Sequence, residues 1–185
     1  VREKAVKGLW ECEDRSIVRP LLDLVQNDPS QNVRAAACVT LGRFTAMFQD
    51  GKLNIRDEER IRKILIDVID RPGEELEVRR RAIESLGRIS SYEVEDIIRD
   101  AYESEIPELK QSSIYAMGQS SNAMWLSIVL QEMETDVPSI RYEAVIAAGL
   151  LGDETTVPYL ISILDDYEID VLIAAISSLG LIGGE

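Results

Sequence analysis

The amino-acid sequence predicts an all-α fold, a right-handed α-α superhelix of stacked helical hairpins. The pattern Val-Arg-x-x-Ala-x-x-x-Leu-Gly, or a near relative of it, occurs six times, starting at Val1, Val33, Val78, Leu109, Ile140 and Val171. Four of the five steps between these starts are 31 or 32 residues, a period typical of helical solenoids. In each copy, apolar or small residues recur four, seven and eight positions after the start, which places them on one face of a helix.

The helix that carries this pattern is the second of each hairpin, and we call it helix B. A glycine stands nine positions after five of the starts, at Gly42, Gly87, Gly118, Gly149 and Gly180. Trp10 replaces the glycine in the first copy. Glycines in register near a helix end indicate close contact between backbones. They follow no strand and form no Gly-x-Gly cluster, so a nucleotide-binding loop is not expected.

The first helix of each hairpin, helix A, precedes the pattern. Apolar residues lie eleven positions ahead of four starts, at Leu22, Ile98, Val129 and Leu160. Pro20 and Pro158 lie thirteen positions ahead of their starts, where proline fits only the first turn of a helix. Between the two helices, turns are predicted around Pro29, Pro72, Pro107 and Pro138.

One interval, from Val33 to Val78, is 45 residues long and breaks the period. Two interpretations compete for the extra residues after Gly42. Helix B of the second copy continues through Phe44, Met47 and Phe48 into a turn at Asp50-Gly51, or the segment projects as a loop that contacts a partner. Burial of Met47 and Phe48 in the core is the favoured interpretation.

The segments "DPSQNVRAAACVTLGR", "EELEVRRRAIESLGRI" and "VPSIRYEAVIAAGLLGD" resemble HEAT repeats, especially the short variety of the phycobilisome lyases. The resemblance covers essentially the whole chain. It implies that the B helices line a concave face and that arginines pair with acidic turn residues in a ladder. The arginines that match this ladder are Arg2, Arg34, Arg79 and Arg141, and the matching acids are Asp28 and Asp166. Lys110 and Leu172 depart from the pattern, so an interrupted ladder is expected toward the C-terminus.

The sequence predicts one array over residues 1–185, with about five and a half repeats. It starts on a helix B and closes at "LGLIGGE", and neither end resembles a polar capping repeat. We therefore expect a fragment of a longer repeat protein.

Charge is unevenly distributed along the chain. The net charge is −14, and residues 101–185 carry 2 basic and 14 acidic side chains. Such a surface repels phosphate backbones, so no nucleic-acid partner is expected. A partner with a basic surface fits this half better, although solubility alone also explains the acids. No apolar run is long enough for a membrane span and no export leader is visible, so a cytoplasmic protein is expected.

The residue types also restrict catalysis. The chain has no histidine and two cysteines, Cys12 and Cys38. This excludes a Ser-His-Asp or Cys-His nucleophile and the usual zinc sites. Within the family that the chain resembles, it also excludes the His-Glu iron site of the deoxyhypusine hydroxylases. We expect no catalytic residue, cofactor or metal, and interpret the acidic pairs Glu58-Glu59 and Asp165-Asp166 as surface.

The candidate binding residues stand two, three, six and ten positions after the starts, off the buried stripe of helix B. They are Arg43, Arg80, Arg81, Glu84, Arg88, Tyr115, Gln119 and Tyr142. Arginine and tyrosine contribute strongly to protein interfaces, so a protein or peptide is the expected partner. A further apolar strip is formed by Ile146, Leu150, Ile173 and Leu181. It either belongs to the interface or packs against additional repeats.

These observations favour a non-enzymatic scaffold that binds a protein partner through the concave face of its B helices. The alternative, implied by the family resemblance alone, is a lyase-like subunit that attaches or removes bilin chromophores. Recognition of nucleic acid is a third class, supported only by the cluster Arg79-Arg80-Arg81 and opposed by the acidic net charge.

Overall fold

The computed structural model describes residues 1–49 and 51–183. Within these residues the chain forms eleven α-helices and no β-strand, which confirms the all-α class. The helices are α1 Arg2–Gly8, α2 Val18–Asn27, α3 Gln31–Gln49, α4 Ile55–Ile69, α5 Leu76–Leu86, α6 Tyr92–Glu103, α7 Pro107–Gln119, α8 Leu126–Glu132, α9 Pro138–Leu151, α10 Val157–Ser162 and α11 Ile169–Ile182. The odd-numbered helices are the predicted B helices, and the even-numbered helices are the A helices.

The chain divides into two compact units, Val1–Val94 and Glu95–Glu185, with the boundary inside α6. In the first unit, α1, α3 and α5 pack side by side, and α2 and α4 form a second layer against them. In the second unit, α7, α9 and α11 pack side by side, with α8 against α9 and α10 against α11. Each unit thus shows the expected stacking of helical hairpins. The single array over residues 1–185 stays a prediction.

Three A helices begin in the same way, with a side-chain cap and a short 3-10 turn. Asp14, Asn122 and Asp153 each accept a hydrogen bond from the backbone N–H two residues later, at 2.8–3.1 Å. This capping satisfies an N–H group that has no partner within the helix. Pro20 and Pro158 lie in the first turns of α2 and α10, as predicted.

The core follows the predicted stripes. The four apolar residues eleven positions ahead of the starts, on the A helices, are all buried. The small residues four and seven positions after the second to sixth starts are buried as well. Small side chains let adjacent B helices approach closely, and packing of this kind supplies most of the stability of a short amphipathic helix.

Three of the predicted glycine contacts are confirmed. A Cβ atom on Gly118 would lie 2.6 Å from Ala147 Cα, and one on Gly149 would lie 2.5 Å from Ser178 Oγ. Gly42 approaches Ser85 in the same way. In each case the partner stands seven positions after the next start within the same unit. At Gly180 the expected contact is not found among the described residues, since outside its own helix and chain neighbours none of their heavy atoms lies within 4 Å of its Cβ position.

The long interval is resolved in favour of a longer helix. The helix α3 continues to Gln49, with Phe44 and Met47 buried and Phe48 half-buried. Gly51 follows it with φ +70°, and the N–H of Lys52 donates to Met47 O at 2.8 Å, closing the helix end. Asp50, the other residue of the predicted turn, lies outside the described residues.

Both acids that match the arginine ladder pair with a ladder arginine, and a third ladder arginine pairs with an acid in the turn before α5. The Arg2 Nε atom donates to Asp28 Oδ2 at 2.9 Å, and Arg141 Nε donates to Asp166 Oδ2 at 2.6 Å. Arg34 pairs at 2.6 Å with Glu74, an acid one position away from the predicted turn site. The fourth arginine, Arg79, donates to the backbone oxygen of Arg71 instead, at 2.9 Å.

At Lys110 the ion pair with an acidic turn residue is replaced by one with an acid inside a helix. The Lys110 Nζ atom lies 2.9 Å from the buried Glu132 carboxylate on α8, so an ion pair persists with a different acid. The Tyr102 hydroxyl donates to the same carboxylate at 2.5 Å, and Lys110 lies over the Tyr102 ring at 4.8 Å. The interruption expected at Leu172 stays a prediction.

Candidate binding groove

A groove of about 520 Å³ in the first unit is lined by residues of α1, α3 and α5. Its floor is α3, where Ala35, Ala36 and Val39 stand two, three and six positions after Val33. These are positions that the sequence predicts to face away from the buried stripe. The floor is deep because Ala35 and Ala36 of α3 are small, whereas α1 and α5 carry long charged side chains at the same two repeat positions. The remaining lining residues are Glu3, Lys7, Trp10, Asn32, Thr40, Glu77 and Arg81.

Both walls of the groove carry ion pairs with i,i+4 spacing. Lys7 Nζ lies 2.7 Å from Glu3 Oε1 on α1, and Arg81 Nε lies 2.8 Å from Glu77 Oε1 on α5. Arg81 also donates to Glu84 at 2.7 Å. These pairs hold the long side chains along their own helices, on either side of the apolar floor.

The charges on the walls persist at neutral pH. The hydrogen bond from Lys7 lowers the pKa of Glu3. Burial by itself lowers the pKa of Arg81, but the attraction and hydrogen bonds of Glu84 and Glu77 outweigh it, so that the pKa is raised. A ligand therefore meets carboxylates and cations on both walls.

Trp10 lies in the turn that follows α1 and is 46 % exposed. It stands at the position that glycine occupies in the other five copies. The turn is closed by the N–H of Leu9, which donates to Val6 O at 3.0 Å, and that of Trp10, which donates to Lys7 O at 3.2 Å. An exposed indole beside a small apolar floor is a typical energetic anchor for a bound chain.

The candidate residues Arg43, Arg80, Arg81 and Glu84 of the first unit are engaged in ion pairs rather than forming an open basic patch. Of them, Arg81 lines the groove. Arg80 Nη1 donates to Glu77 at 3.2 Å, and Arg43 Nη2 donates to Glu13 at 3.3 Å. The Glu84 carboxylate accepts from Arg81, and Arg88 is half-buried near the end of α5. The acids Glu77 and Glu84 therefore offset much of the positive charge that the sequence suggests.

The other candidates, Tyr115, Gln119 and Tyr142, lie on α7 and α9 of the second unit, and each is half-buried. Nearby, Gln111 Nε2 donates to Glu143 Oε1 at 3.2 Å and joins these two helices. Gln119 Oε1 is buried and has no hydrogen-bond partner among the described residues. None of the three lines the groove of the first unit.

The residues that create the groove are not among the candidates that the sequence predicts. Trp10 enters the repeat pattern only as the residue that replaces a glycine, and Ala35 and Ala36 lie outside the predicted stripe of small residues. The signal that the sequence does contain is a difference in side-chain size between copies at the same two repeat positions. Two and three positions after the start, the second copy has two alanines, whereas the first has Glu3-Lys4 and the third has Arg80-Arg81.

No group of three or more cysteine, aspartate or glutamate side chains within residues 1–49 and 51–183 is arranged to hold a metal ion. In the same part of the chain, none of the helices has the length and apolar character needed to cross a bilayer.

The fold and its repeats define a helical-repeat protein. Residues 17–48 match the family described as HEAT repeat, and residues 124–185 match the family described as HEAT repeats. Together the matches cover about half of the sequence, and the chain belongs to the HEAT-repeat family. Both matches are to HEAT repeats in general, so the resemblance to the phycobilisome-lyase variety stays a prediction.

Solved structures share the fold at low sequence identity. Human deoxyhypusine hydroxylase in complex with glycerol is 15 % identical with a TM-score of 0.53, over 100 % of this chain and 80 % of that one. An engineered protein is 14 % identical with a TM-score of 0.52, over 98 % and 90 % of the two chains. The Escherichia coli protein YibA is 18 % identical with a TM-score of 0.50, over 91 % and 69 %. No curated protein sequence matches the chain.

Proposed function

We propose that this chain is a non-enzymatic scaffold that binds a segment of a partner protein in the groove formed by α1, α3 and α5. The observation that carries the proposal is the depressed apolar floor of Ala35, Ala36 and Val39 between two charged walls. A partner that inserts apolar side chains gains burial there, and the ion pairs provide a polar rim.

The size of the groove favours one short segment rather than a whole domain surface. Its volume of about 520 Å³ is that of a typical small ligand site. An α-helix is about 10 Å wide, and small residues permit two helix axes to approach within about 8 Å. A partner helix with apolar residues along one face would therefore rest on the alanine floor, with Trp10 as an additional contact.

The chemistry of the chain supports binding without catalysis. The human structural neighbour is an enzyme by name, but its resemblance at 15 % identity concerns the fold. The chain has no histidine, and its groove combines small apolar residues with carboxylates and cations that are already paired. Such a surface provides recognition rather than an activated nucleophile.

The test selects peptides from a displayed library against the immobilised chain and compares two tryptophan substitutions. Ala36→Trp fills the groove floor, whereas Arg56→Trp adds the same side chain at an exposed position of α4. We expect selected peptides to carry clustered apolar residues, and Ala36→Trp to weaken their binding at least about tenfold while Arg56→Trp leaves it unchanged. Circular dichroism verifies the fold of both variants.

If Ala36→Trp does not fold, Val39→Arg makes the same test, because Val39 is half-buried and reaches the groove without lying in the core. Failure to select any peptide, or equal binding by the filled-groove variant, contradicts the proposal. Quenching or a spectral shift of Trp10 on binding provides a second readout, since the only other tryptophan, Trp125, is buried in the second unit.

A further inference from the structure

The turns before α7 and α9 share a short motif. It reads Glu-Ser-Glu-Ile-Pro over residues 103–107 and Glu-Thr-Asp-Val-Pro over residues 134–138, at the same distance ahead of the starts of the two copies. The apolar member of the motif, Ile106 or Val137, stands three positions ahead of its start. Other copies have a polar residue at that position: Ser30, Glu75 and Glu168. The repeat pattern therefore does not require an apolar side chain there.

Ile106 and Val137 serve neither the core nor the cap of a helix. They are 40 % and 48 % exposed, and the prolines that follow them, Pro107 and Pro138, are exposed as well. Each is the N-cap residue of its helix, and its side chain makes no capping hydrogen bond. Serine, aspartate or asparagine would stabilise a helix at this position, whereas isoleucine and valine do not. Exposed apolar residues without a structural role of this kind indicate an interaction surface.

The two motifs hold the same backbone geometry. Ile106 has φ −89° and ψ 108°, and Val137 has φ −87° and ψ 106°. The proline that follows each favours this extended conformation. The carbonyl oxygen of each also accepts the N–H groups three and four positions later, at 3.0–3.2 Å. A surface that is already rigid loses little conformational freedom when a partner binds.

The two motifs are neighbours in space. The helices α7 and α9 pack side by side, and Gln111 Nε2 donates to Glu143 Oε1 at 3.2 Å between their N-terminal halves. The turns that open these helices therefore lie next to each other at one edge of the second unit. We call Ile106, Pro107, Val137 and Pro138 the turn patch.

The charge around the turn patch selects the kind of partner. Each motif has two acids, and all four are exposed: Glu103, Glu105, Glu134 and Asp136. Residues 101–185 contain two cations, Lys110 and Arg141, and both are paired with other acids. A cationic partner would therefore meet carboxylates whose charge is not offset by these two side chains.

We infer that the turn patch binds an extended, lysine- or arginine-rich segment of a partner protein that carries apolar side chains three residues apart. Packed helices lie about 8–10 Å apart, so their opening turns have a similar separation. In a polyproline-type extended segment, residues three apart project on the same side and are separated by about 9 Å. Two apolar side chains of such a segment would contact Ile106 and Val137, and the cations between them would meet the motif acids. This site lies in the second unit and does not depend on the groove of the first.

Fluorescence anisotropy with a labelled peptide of repeated Leu-Lys-Lys units tests the inference, and a Ser-Lys-Lys peptide of equal length has the same charge. The leucine peptide should bind at least about tenfold more tightly. The double variant Ile106→Ser, Val137→Ser should weaken its binding at least about fivefold, while serine at both N-caps preserves the helices. The matched control is Ile55→Ser, Tyr92→Ser, which removes two side chains that are 61 % and 88 % exposed and should leave binding unchanged.

A second pair of variants separates the motif acids from general attraction between a cationic peptide and an acidic protein. Glu105→Gln, Asp136→Asn should weaken the leucine peptide at least about fivefold. Asp96→Asn, Glu154→Gln removes the same charge at exposed positions outside the motifs and should have little effect. Circular dichroism verifies the fold of all four variants.

The inference is overturned if neither peptide binds at chain concentrations up to about 500 μM, or if the two peptides bind equally. Equal losses in the motif variants and their controls overturn it as well. Ala36→Trp, which fills the groove of the first unit, should leave this binding unchanged, so the outcome is independent of the function proposed above.

Discussion

The Arg141 guanidinium and the Asp166 carboxylate form a bidentate ion pair with side chains that are only 6 % and 7 % exposed. Arg141 also donates to the backbone oxygen of Thr135 at 2.6 Å and lies 5.1 Å from the centre of the Tyr167 ring. Asp166 accepts a further hydrogen bond from the N–H of Glu168 at 2.8 Å. The pair therefore joins the turn before α9 to the turn before α11.

Asp166→Asn should lower the free energy of unfolding by about 3 kcal/mol at pH 7, because it leaves a buried guanidinium without its counter-charge. Urea denaturation followed by circular dichroism measures the change. Asp165→Asn is the matched control, since Asp165 is exposed and adjacent, and it should change stability by less than about 0.5 kcal/mol. Equal effects of the two substitutions would contradict a specific role of the pair.

The stability difference between the unsubstituted chain and Asp166→Asn should depend on pH. The hydrogen bonds from Arg141 hold the pKa of Asp166 below its usual range in the folded chain. The carboxylate therefore stabilises the fold fully above its unfolded pKa of about 4, and this contribution disappears as the pH falls through the lower folded value. The stability gap between the unsubstituted chain and Asp166→Asn should be constant from pH 7 to 5 and narrow below pH 4. A gap that does not change with pH would show that the lost stability is not electrostatic.

Tyr102→Phe should lower the free energy of unfolding by about 1–2 kcal/mol, because the buried Glu132 carboxylate loses a short hydrogen bond. Phenylalanine preserves the ring against which Lys110 lies, so the loss reports on the hydroxyl alone. Tyr92→Phe removes the same atom from a tyrosine that is exposed, and should be nearly neutral. Thermal unfolding of both variants measures the difference, and no loss for Tyr102→Phe would refute the stabilising role of the hydroxyl.

The repeat period predicts most of the fold, because each helix packs on neighbours that are one period away. The stripe of small residues, the buried A-helix residues and the contacts of Gly42, Gly118 and Gly149 all follow from one alignment of the copies. Gly180 shows where the pattern is insufficient. A glycine in register predicts that a contact is possible, but the contact also requires a helix on the other side.

The candidate site was less predictable, since it depends on differences between copies rather than on the pattern they share. The sequence placed Glu84 with Arg80 and Arg81 among the candidate residues, but the ion pairs that Glu77 and Glu84 form with these arginines were not predicted. Acids three and four residues away on a helix are neighbours in space. The spacing of such acids from each arginine therefore predicts the ion pairs, and the small side chain of Ala36 beside larger ones in the adjacent copies predicts the groove.

Gly118→Ala should destabilise the chain by about 1–3 kcal/mol, because the new methyl group would lie 2.6 Å from Ala147 Cα and backbone cannot move aside cheaply. Gly180→Ala makes the same chemical change in the same register with open space around it. It should be neutral or stabilising by up to about 1 kcal/mol, since alanine favours the helix. Urea denaturation in dilute solution compares the two, and destabilisation by both would show that the glycines are not distinguished by their packing.

Cys38 should be inert to thiol reagents while the chain is folded. Its side chain is fully buried, and burial, with a smaller effect of Glu74, raises its pKa to about 12, so the reactive thiolate is scarce. The backbone oxygen of Cys38 also accepts the Ser85 hydroxyl, so a reagent reaches the thiol only when α3 and α5 separate. A coloured aromatic disulfide should therefore modify one thiol, the half-buried Cys12, in buffer and both thiols in urea. The variant Cys12→Ser should show no rapid reaction, and rapid modification of a second thiol in buffer would mean that these two helices open readily.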